Sequence, residues 1–314
     1  MEQRNVGSSG LRVSAVGLGC NNFGGRIDFA ATEKVIHKAL DLGITFFDEA
    51  DIYGDPRGNS EICLGRILGP RRKDIVLATK FARPMDGAGR FEGASRRYIM
   101  AAVEASLKRL QTDWIDLYQQ HQPDPLTPIE ETLRGLDDLV RQGKVRYLGC
   151  STLPAWQVVE AQWTSRHHGL DHFVSCQEEY SLLARRLDDE MMPVLQAYGL
   201  GLIPFRPLAD GLLTGKYRRG APLPPGARLA AMARAAERYL NDENWERLDR
   251  LEGFAAAHGH RLLELAFAWL LKRPAVASVI AGATAPEQVE ENVRAASRWQ
   301  LTPDEMHEID RLTR

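Results

Sequence analysis

The stretch Gly43-Ile-Thr-Phe-Phe-Asp-Glu-Ala-Asp-Ile-Tyr-Gly54 decides how this chain is read. A short hydrophobic run, Ile44–Phe47, breaks into Asp48, and Tyr53 stands in the loop that the aspartate opens. Two other runs end in the same way: Ile75–Thr79 leads into Lys80, and Ile115–Tyr118 leads to His121. Short, nearly continuous apolar runs are expected of strands buried on both faces of a parallel sheet. As neighbouring strands of one barrel, they would bring Asp48, Tyr53, Lys80 and His121 together at the C-terminal mouth, where barrel enzymes keep their active sites.

The rest of the chain supports that placement. Strand-like runs recur at Val13–Leu18, Ile44–Phe47, Ile75–Thr79, Ile115–Gln119, Val145–Cys150, Phe173–Gln177, Gly201–Phe205 and Ser278–Ala281, with helix-like segments between them. Such alternation calls for parallel strands joined by crossover helices, and eight of them favour a closed (β/α)8 barrel over an open sheet. Ser60, Ser95, Thr127-Pro128 and Thr302-Pro303 are expected helix starts, and Gly43 and Gly143 expected helix stops. Asn5–Gly10 reads as a hairpin turn able to plug the barrel bottom. The long irregular stretch Ala209–Gly226, after the seventh strand, has the length of a functional loop. No repeat or linker divides the sequence, so residues 1–314 are expected to form a single domain.

Composition removes several classes of function. The 314 residues carry 40 basic and 42 acidic side chains, a net charge of −2, so no basic stripe announces nucleic acid. No apolar run approaches the ~18 residues of a membrane span. The polar start, Met1-Glu-Gln-Arg-Asn5, lacks a signal-peptide core, which points to a cytoplasmic protein. Cys20, Cys63, Cys150 and Cys176 are scattered and read as reduced thiols. His167-His168 and His258/His260 lack carboxylate or cysteine companions in sequence and read as surface histidines, so no metal site is expected.

Two glycine motifs fail. Gly17-Leu-Gly19-Cys-Asn-Asn22 has asparagine where a dinucleotide fingerprint needs its third glycine. Gly211-Leu-Leu-Thr-Gly215-Lys216-Tyr217 is one residue short of a P-loop and ends in tyrosine instead of Ser/Thr.

Singly, the four polar residues have plainer roles: a cap, a loop aromatic, a solvated strand end, a core histidine. Jointly they make a proton donor for a carbonyl oxygen. A lysine ammonium stabilises a phenolate and makes the tyrosine proton easier to give. A carboxylate keeps that lysine charged and in place, and a neutral histidine can donate to the oxygen as alkoxide forms. The set supplies acid and geometry but no reductant, so a nicotinamide cofactor is implied.

Phe47-Asp-Glu-Ala-Asp-Ile-Tyr-Gly54, Ala78-Thr-Lys-Phe81 and His121-Gln-Pro-Asp124 resemble the three catalytic signatures of the aldo-keto reductase superfamily. The resemblance runs from Leu18-Gly-Cys-Asn-Asn-Phe-Gly-Gly25 to Val279-Ile-Ala-Gly-Ala-Thr284, nearly the whole chain. It implies a TIM barrel without a Rossmann domain, with Tyr53 as general acid, Lys80 its pKa partner, Asp48 the counter-ion and His121 the carbonyl orienter. It also implies a cofactor track. Ser151, Thr152 and Gln177 fall at the carboxamide, Phe205 stacks on the nicotinamide, and Pro207, Leu208, Gly211 and Lys216 belong to the pyrophosphate loop. Gly282, Thr284, Gln288, Glu291 and Asn292 match the adenosine end, and Asn21, Arg26 and Asp48 complete the set. Thr152 stands where many members have asparagine, and Arg206 departs from the usual small or apolar residue.

The pattern is closer to the branch of bacterial stress-type reductases and potassium-channel β subunits. There an arginine of the long loop takes the 2′-phosphate, a position Arg228 fits. NADPH is therefore the expected cofactor, with NADH the alternative. The expected function is reduction of a small carbonyl substrate, an aldehyde first, with ketones and sugars as further candidates. Its rivals are a nicotinamide-binding regulatory subunit with little turnover, and an aldolase using Lys80. Phe23, Phe81, Met85 and Trp114 are apolar candidates for the substrate pocket, and an oligomer is left open.

Overall fold

Eight parallel strands follow one another around the computed structural model, each handed to the next by a helix. The structure describes residues 1–90 and 92–313. In chain order the strands among them are β1 (Gln3–Asn5), β2 (Arg12–Ser14), β3 (Val16–Gly19), β4 (Phe46–Asp48), β5 (Val76–Phe81), β6 (Ile115–Gln120), β7 (Val145–Ser151), β8 (Phe173–Glu179), β9 (Gly201–Phe205) and β10 (Val279–Gly282). Parallel pairing runs β10-β3-β4-β5-β6-β7-β8-β9. The ring nearly closes where the segment leading into β10 meets β9: Leu202 N donates to Ala275 O at 2.6 Å, and Ala277 N to Leu202 O at 2.9 Å. The result is a (β/α)8 TIM barrel.

The first strand-like run differs from expectation. Val13–Leu18 is divided at Ala15, so that Arg12–Ser14 pairs antiparallel with β1 and only Val16–Gly19 joins the barrel. That hairpin brings Val6, Leu11 and Val13 against Phe46, Ala78, Leu117 and Ile203, inside the cylinder. It closes the bottom with side chains, as expected of Asn5–Gly10. A second, larger core lies outside the strands, where helices such as Phe29–Asp41 and Arg96–Leu110 lay their apolar faces on the barrel.

Strand alternation sets what comes above the plug. Side chains two residues apart share a face. Phe46, Ala78 and Leu117 point into the apolar interior, so Asp48, Lys80 and Gln119 rise into the same cylinder one layer higher. The change from apolar to polar within two residues marks the mouth.

The stretch Ala209–Gly226 is not wholly irregular. It opens with a 3-10 segment, Ala209–Thr214, broken at Asp210 and Gly211, and the helices Arg228–Ala231, Ala233–Tyr239 and Asp242–Ala257 follow. Two expected caps are corrected. The helix Asn59–Leu68 starts from Gly58 at φ 89°, and the Ser60 hydroxyl instead donates to Cys20 O at 2.9 Å and Glu49 Oε1 at 2.7 Å. Thr127 donates to Asp124 Oδ2, and Pro128 occupies the cap of Ile129–Arg141. Ser95 and Thr302 do cap, accepting from Tyr98 N and Glu305 N.

Candidate active site

Lys80 is the centre of the mouth. It is fully buried, and its ammonium has three acceptors: Asp48 Oδ1 at 2.9 Å, Asp48 Oδ2 at 2.8 Å and Glu49 O at 2.7 Å. A buried charge survives only when paired and hydrogen-bonded. Two amides complete the carboxylate's shell, Gln177 Nε2 at 2.8 Å and Gln119 Nε2 at 3.3 Å from Asp48 Oδ1. Burial works against the lysine's charge, but Asp48 and the Tyr53 phenol outweigh it and hold its pKa above the ordinary value. Lys80 is thus a fixed cation and a poor nucleophile, which counts against the aldolase reading.

Tyr53 sits beside it, with Lys80 Nζ 5.1 Å from the ring centre. The loop is tied so that the phenol stays there: Tyr53 O accepts from Gly58 N at 3.0 Å and Ser60 N at 3.2 Å. Gly54 follows at φ 91°, where a Cβ would stand 2.6 Å from Ser60 N, so the turn admits only glycine. Burial pushes the phenol pKa up, Lys80 draws it down, and Asp48 and Glu49 push it up again. The net direction is upward, a correction to the expectation from the lysine alone: Tyr53 keeps its proton at rest.

The His121 ring stands edge-on to Tyr53, centroids 6.0 Å apart. Burial, helped by the cations of Lys80 and Arg83, lowers its pKa to about 2, so the imidazole is neutral. Its Nδ1 is buried without a partner. Its backbone is fixed through Thr152, whose hydroxyl donates to His121 O at 3.1 Å. Thr152 adopts φ 58°, rare for a β-branched residue and easier for asparagine.

Asp48, Tyr53 and His121 open onto a cleft of about 740 Å³, with Lys80 behind its wall. The cleft is also lined by every residue of the expected cofactor track: Asn21, Arg26, Ser151, Thr152, Gln177, Phe205, Pro207, Leu208, Gly211, Lys216, Arg228, Gly282, Thr284, Gln288, Glu291 and Asn292. Several of these already have partners. Arg228 Nε lies 3.1 Å from Asp210 Oδ1, Glu291 accepts from Arg261 Nη1 at 2.9 Å, and Gln288 Oε1 accepts from Thr284 N at 2.7 Å. Arg206 lies 3.5 Å from Asp210 and 4.0 Å from Glu179. Arg26 donates to Gly226 O at 2.9 Å, bridging the loops after β3 and β9.

The cleft fits a dinucleotide on three structural grounds. Gly282 is exposed in the cleft wall, with no side chain between its backbone and a ligand. Arg206, Ala209, Asp210 and Gly211 all have positive φ, the kind of conformation that turns successive N–H groups into an anion nest. Lys216 adds a cation beside them.

Other expectations fall elsewhere. Phe23, Phe81, Met85 and Trp114 do not line the cleft. Phe23 and Phe81 are core, and Trp114 lies between the guanidinium groups of Arg72 and Arg146, 4.6 and 5.0 Å from its ring. The fold supplies carboxylate neighbours to His168 (Glu130, 3.5 Å), His258 (Glu305, 3.8 Å) and His260 (Glu264, 2.9 Å), which the sequence spacing did not show. Among the described residues no cluster of three or more His, Cys, Asp or Glu side chains is arranged to hold a metal, and no helix is long and apolar enough to cross a membrane. The scattered thiols are free, though Cys150 and Cys176, paired on β7 and β8, bring their sulfurs within 3.3 Å. Gln119 and Asp210 were missed as site residues. The signal for Gln119 was a polar residue inside an apolar strand; for Asp210 it was Arg206 four residues earlier, while its other partner, Arg228, stands eighteen residues further on.

The aldo/keto reductase family model matches residues 15–314. The chain belongs to that family. It is 36% identical over 318 residues to a probable voltage-gated potassium channel subunit beta of Oryza sativa subsp. japonica, covering 99% of this chain and 96% of that protein. It is 35% identical over 320 residues to the L-glyceraldehyde 3-phosphate reductase of Escherichia coli K12 (99% and 92% covered). An uncharacterized oxidoreductase of Bacillus subtilis is 36% identical over 304 residues, with 94% and 91% covered.

Proposed function

We propose that the protein is an NADPH-dependent aldo-keto reductase, acting as one barrel in the cytoplasm and reducing aldehydes, and by extension ketones or sugars, to alcohols. The observation that carries this reading is the buried Lys80 ammonium held by Asp48 beside a protonated Tyr53 and a neutral His121, all at one cleft. A nicotinamide bound along the cleft would supply the hydride. Ser151, Gln177 and Phe205 would hold its ring end, the 206–211 turn and Lys216 its phosphates, and Gly282 to Asn292 its adenosine.

This chain's own residues handle the proton and the charge. The substrate's carbonyl oxygen accepts hydrogen bonds from the Tyr53 hydroxyl and the His121 imidazole. As negative charge grows on that oxygen, Tyr53 gives up its proton, and Lys80 stabilises the phenolate left behind. Asp48, braced by Gln119 and Gln177, keeps the lysine from turning away. Water then returns the proton to Tyr53, whose raised pKa favours recapture.

The reductase and oxidoreductase names of two relatives accord with this reading. The test is titration of the purified protein with NADPH and NADH, followed by an aldehyde panel read at the nicotinamide absorbance. NADPH should bind more tightly through Arg228, and at least one aldehyde should be turned over. Binding of neither nucleotide would end the reading; tight binding with no turnover would favour a nicotinamide-binding regulatory subunit.

A further inference from the structure

Most charges around the cleft are neutralised by each other. Asp210 lies between Arg206 and Arg228. Glu179 accepts from Arg238 Nη2 at 2.8 Å and from the Tyr239 hydroxyl at 2.6 Å. One cation at the catalytic end is different. Arg83 lines the cleft with Tyr53 and His121, yet makes no hydrogen bond or ion pair among the described residues, and its Nε is buried without a partner. It lies near enough to His121 to help depress the imidazole pKa. The remaining unpaired cations of the cleft act elsewhere, since Arg26 and Lys216 influence each other at the phosphate-loop end.

The chain goes to some expense to place Arg83. Ala82, directly before it, is buried at φ 88°, a conformation that L residues with a Cβ avoid. Its carbonyl is held from two sides, by Gly93 N at 2.9 Å and Gln122 Nε2 at 3.2 Å. Two residues on, the carbonyl of Pro84 accepts from Arg57. Asp124, the carboxylate of the adjacent β6 loop, is saturated locally by Ala94 N at 2.7 Å, Leu126 N at 2.9 Å and the Thr127 hydroxyl at 2.7 Å. Local strain retained by over-determined surroundings marks functional positions, and the buried Nε of a half-buried guanidinium without a carboxylate lacks the partner that burial demands.

We propose that Arg83 is a specificity residue and that its missing partner is the substrate: the protein prefers aldehydes carrying an anionic group, carboxylate or phosphate, a short distance from the carbonyl. A guanidinium suits either, because its N–H fork matches both bidentately. The proposal rests on the reductase reading for its kinetic form, but its binding form is independent of turnover.

The kinetic test compares succinic semialdehyde with butanal, and glyceraldehyde 3-phosphate with glyceraldehyde, in wild type, Arg83→Gln and Arg83→Lys. Wild type should favour the anionic member of at least one pair in kcat/KM, and the pair that shows it identifies carboxylate or phosphate. Arg83→Gln should lower that preference roughly 10- to 100-fold, mainly through KM, the loss expected for a hydrogen bond to a charged group. Arg83→Lys should recover part of it. An unchanged ratio in Arg83→Gln would overturn the inference while leaving the reductase intact. The second measurement uses unreactive anions, butyrate and glycerol 3-phosphate, titrated calorimetrically into the NADPH-saturated protein. One of them should bind at least tenfold more weakly to Arg83→Gln. Equal affinities, or no binding to either protein, would overturn it even where no aldehyde is turned over.

Discussion

His121 shows how one side chain's environment becomes both chemistry and a stability term. Folded, it remains neutral down to about pH 2; unfolded, it takes up a proton near its ordinary 6.5. Below pH 6.5 the unfolded chain therefore binds more protons, and stability falls as pH drops through that window. At 1.36 kcal/mol per pH unit, the loss at pH 5 is about 2 kcal/mol. His121→Asn removes the titration, so the unfolding free energy from urea titrations should fall between pH 7 and pH 5 by that much more in wild type than in the variant; parallel falls would contradict it. The candidate residues at 48, 80 and 121 were legible in sequence because each follows an apolar strand-like run, and Tyr53 because it stands in the loop that Asp48 opens. The balance that keeps Tyr53 protonated was not, since burial arises from residues distant along the chain.

Secondary-structure elements were readable where a signal is local and misread where a tertiary contact competes. Ser95 caps its helix by accepting from Tyr98 N at 3.3 Å, so Ser95→Ala should cost about 1 kcal/mol in chemical denaturation. Ser60 looked equivalent but lies inside its helix and is fully buried, donating to Cys20 O and Glu49. Ser60→Ala should cost more, about 1–3 kcal/mol, because it strands buried acceptors beneath the catalytic loop. Equal losses at both positions would restore the simple capping account. What misleads is Gly58, whose left-handed φ starts the helix two residues earlier than a cap at Ser60 would.

Over the whole molecule, the strand–helix alternation told the class of fold, and the failed glycine fingerprint agreed with a barrel that lacks a Rossmann domain. Ring closure could not be read, because the bonds of Leu202 to Ala275 and Ala277 span more than seventy residues. Nor could the tightness of the bottom plug. Gly7, at φ 57°, leaves a Cβ only 2.2 Å from Gly199 O and 2.6 Å from Gly201 N. Backbone stands on both sides, so Gly7→Ala has no flexible neighbour to displace. It should lower stability by roughly 2–4 kcal/mol, from overpacking plus left-handed strain, a loss visible as a reduced melting temperature. An unchanged melting temperature would mean the hairpin does not seal the barrel.

The most direct test of the account is the rate of NADPH oxidation with an aldehyde substrate in wild type and Tyr53→Phe, with NADPH affinity measured alongside. Loss of one phenolic oxygen should reduce kcat by about 10²–10⁴-fold while the dissociation constant for NADPH stays within roughly threefold, as expected for an acid that acts only on the reacting oxygen. Turnover in Tyr53→Phe close to that of wild type would show that the proton comes from another group.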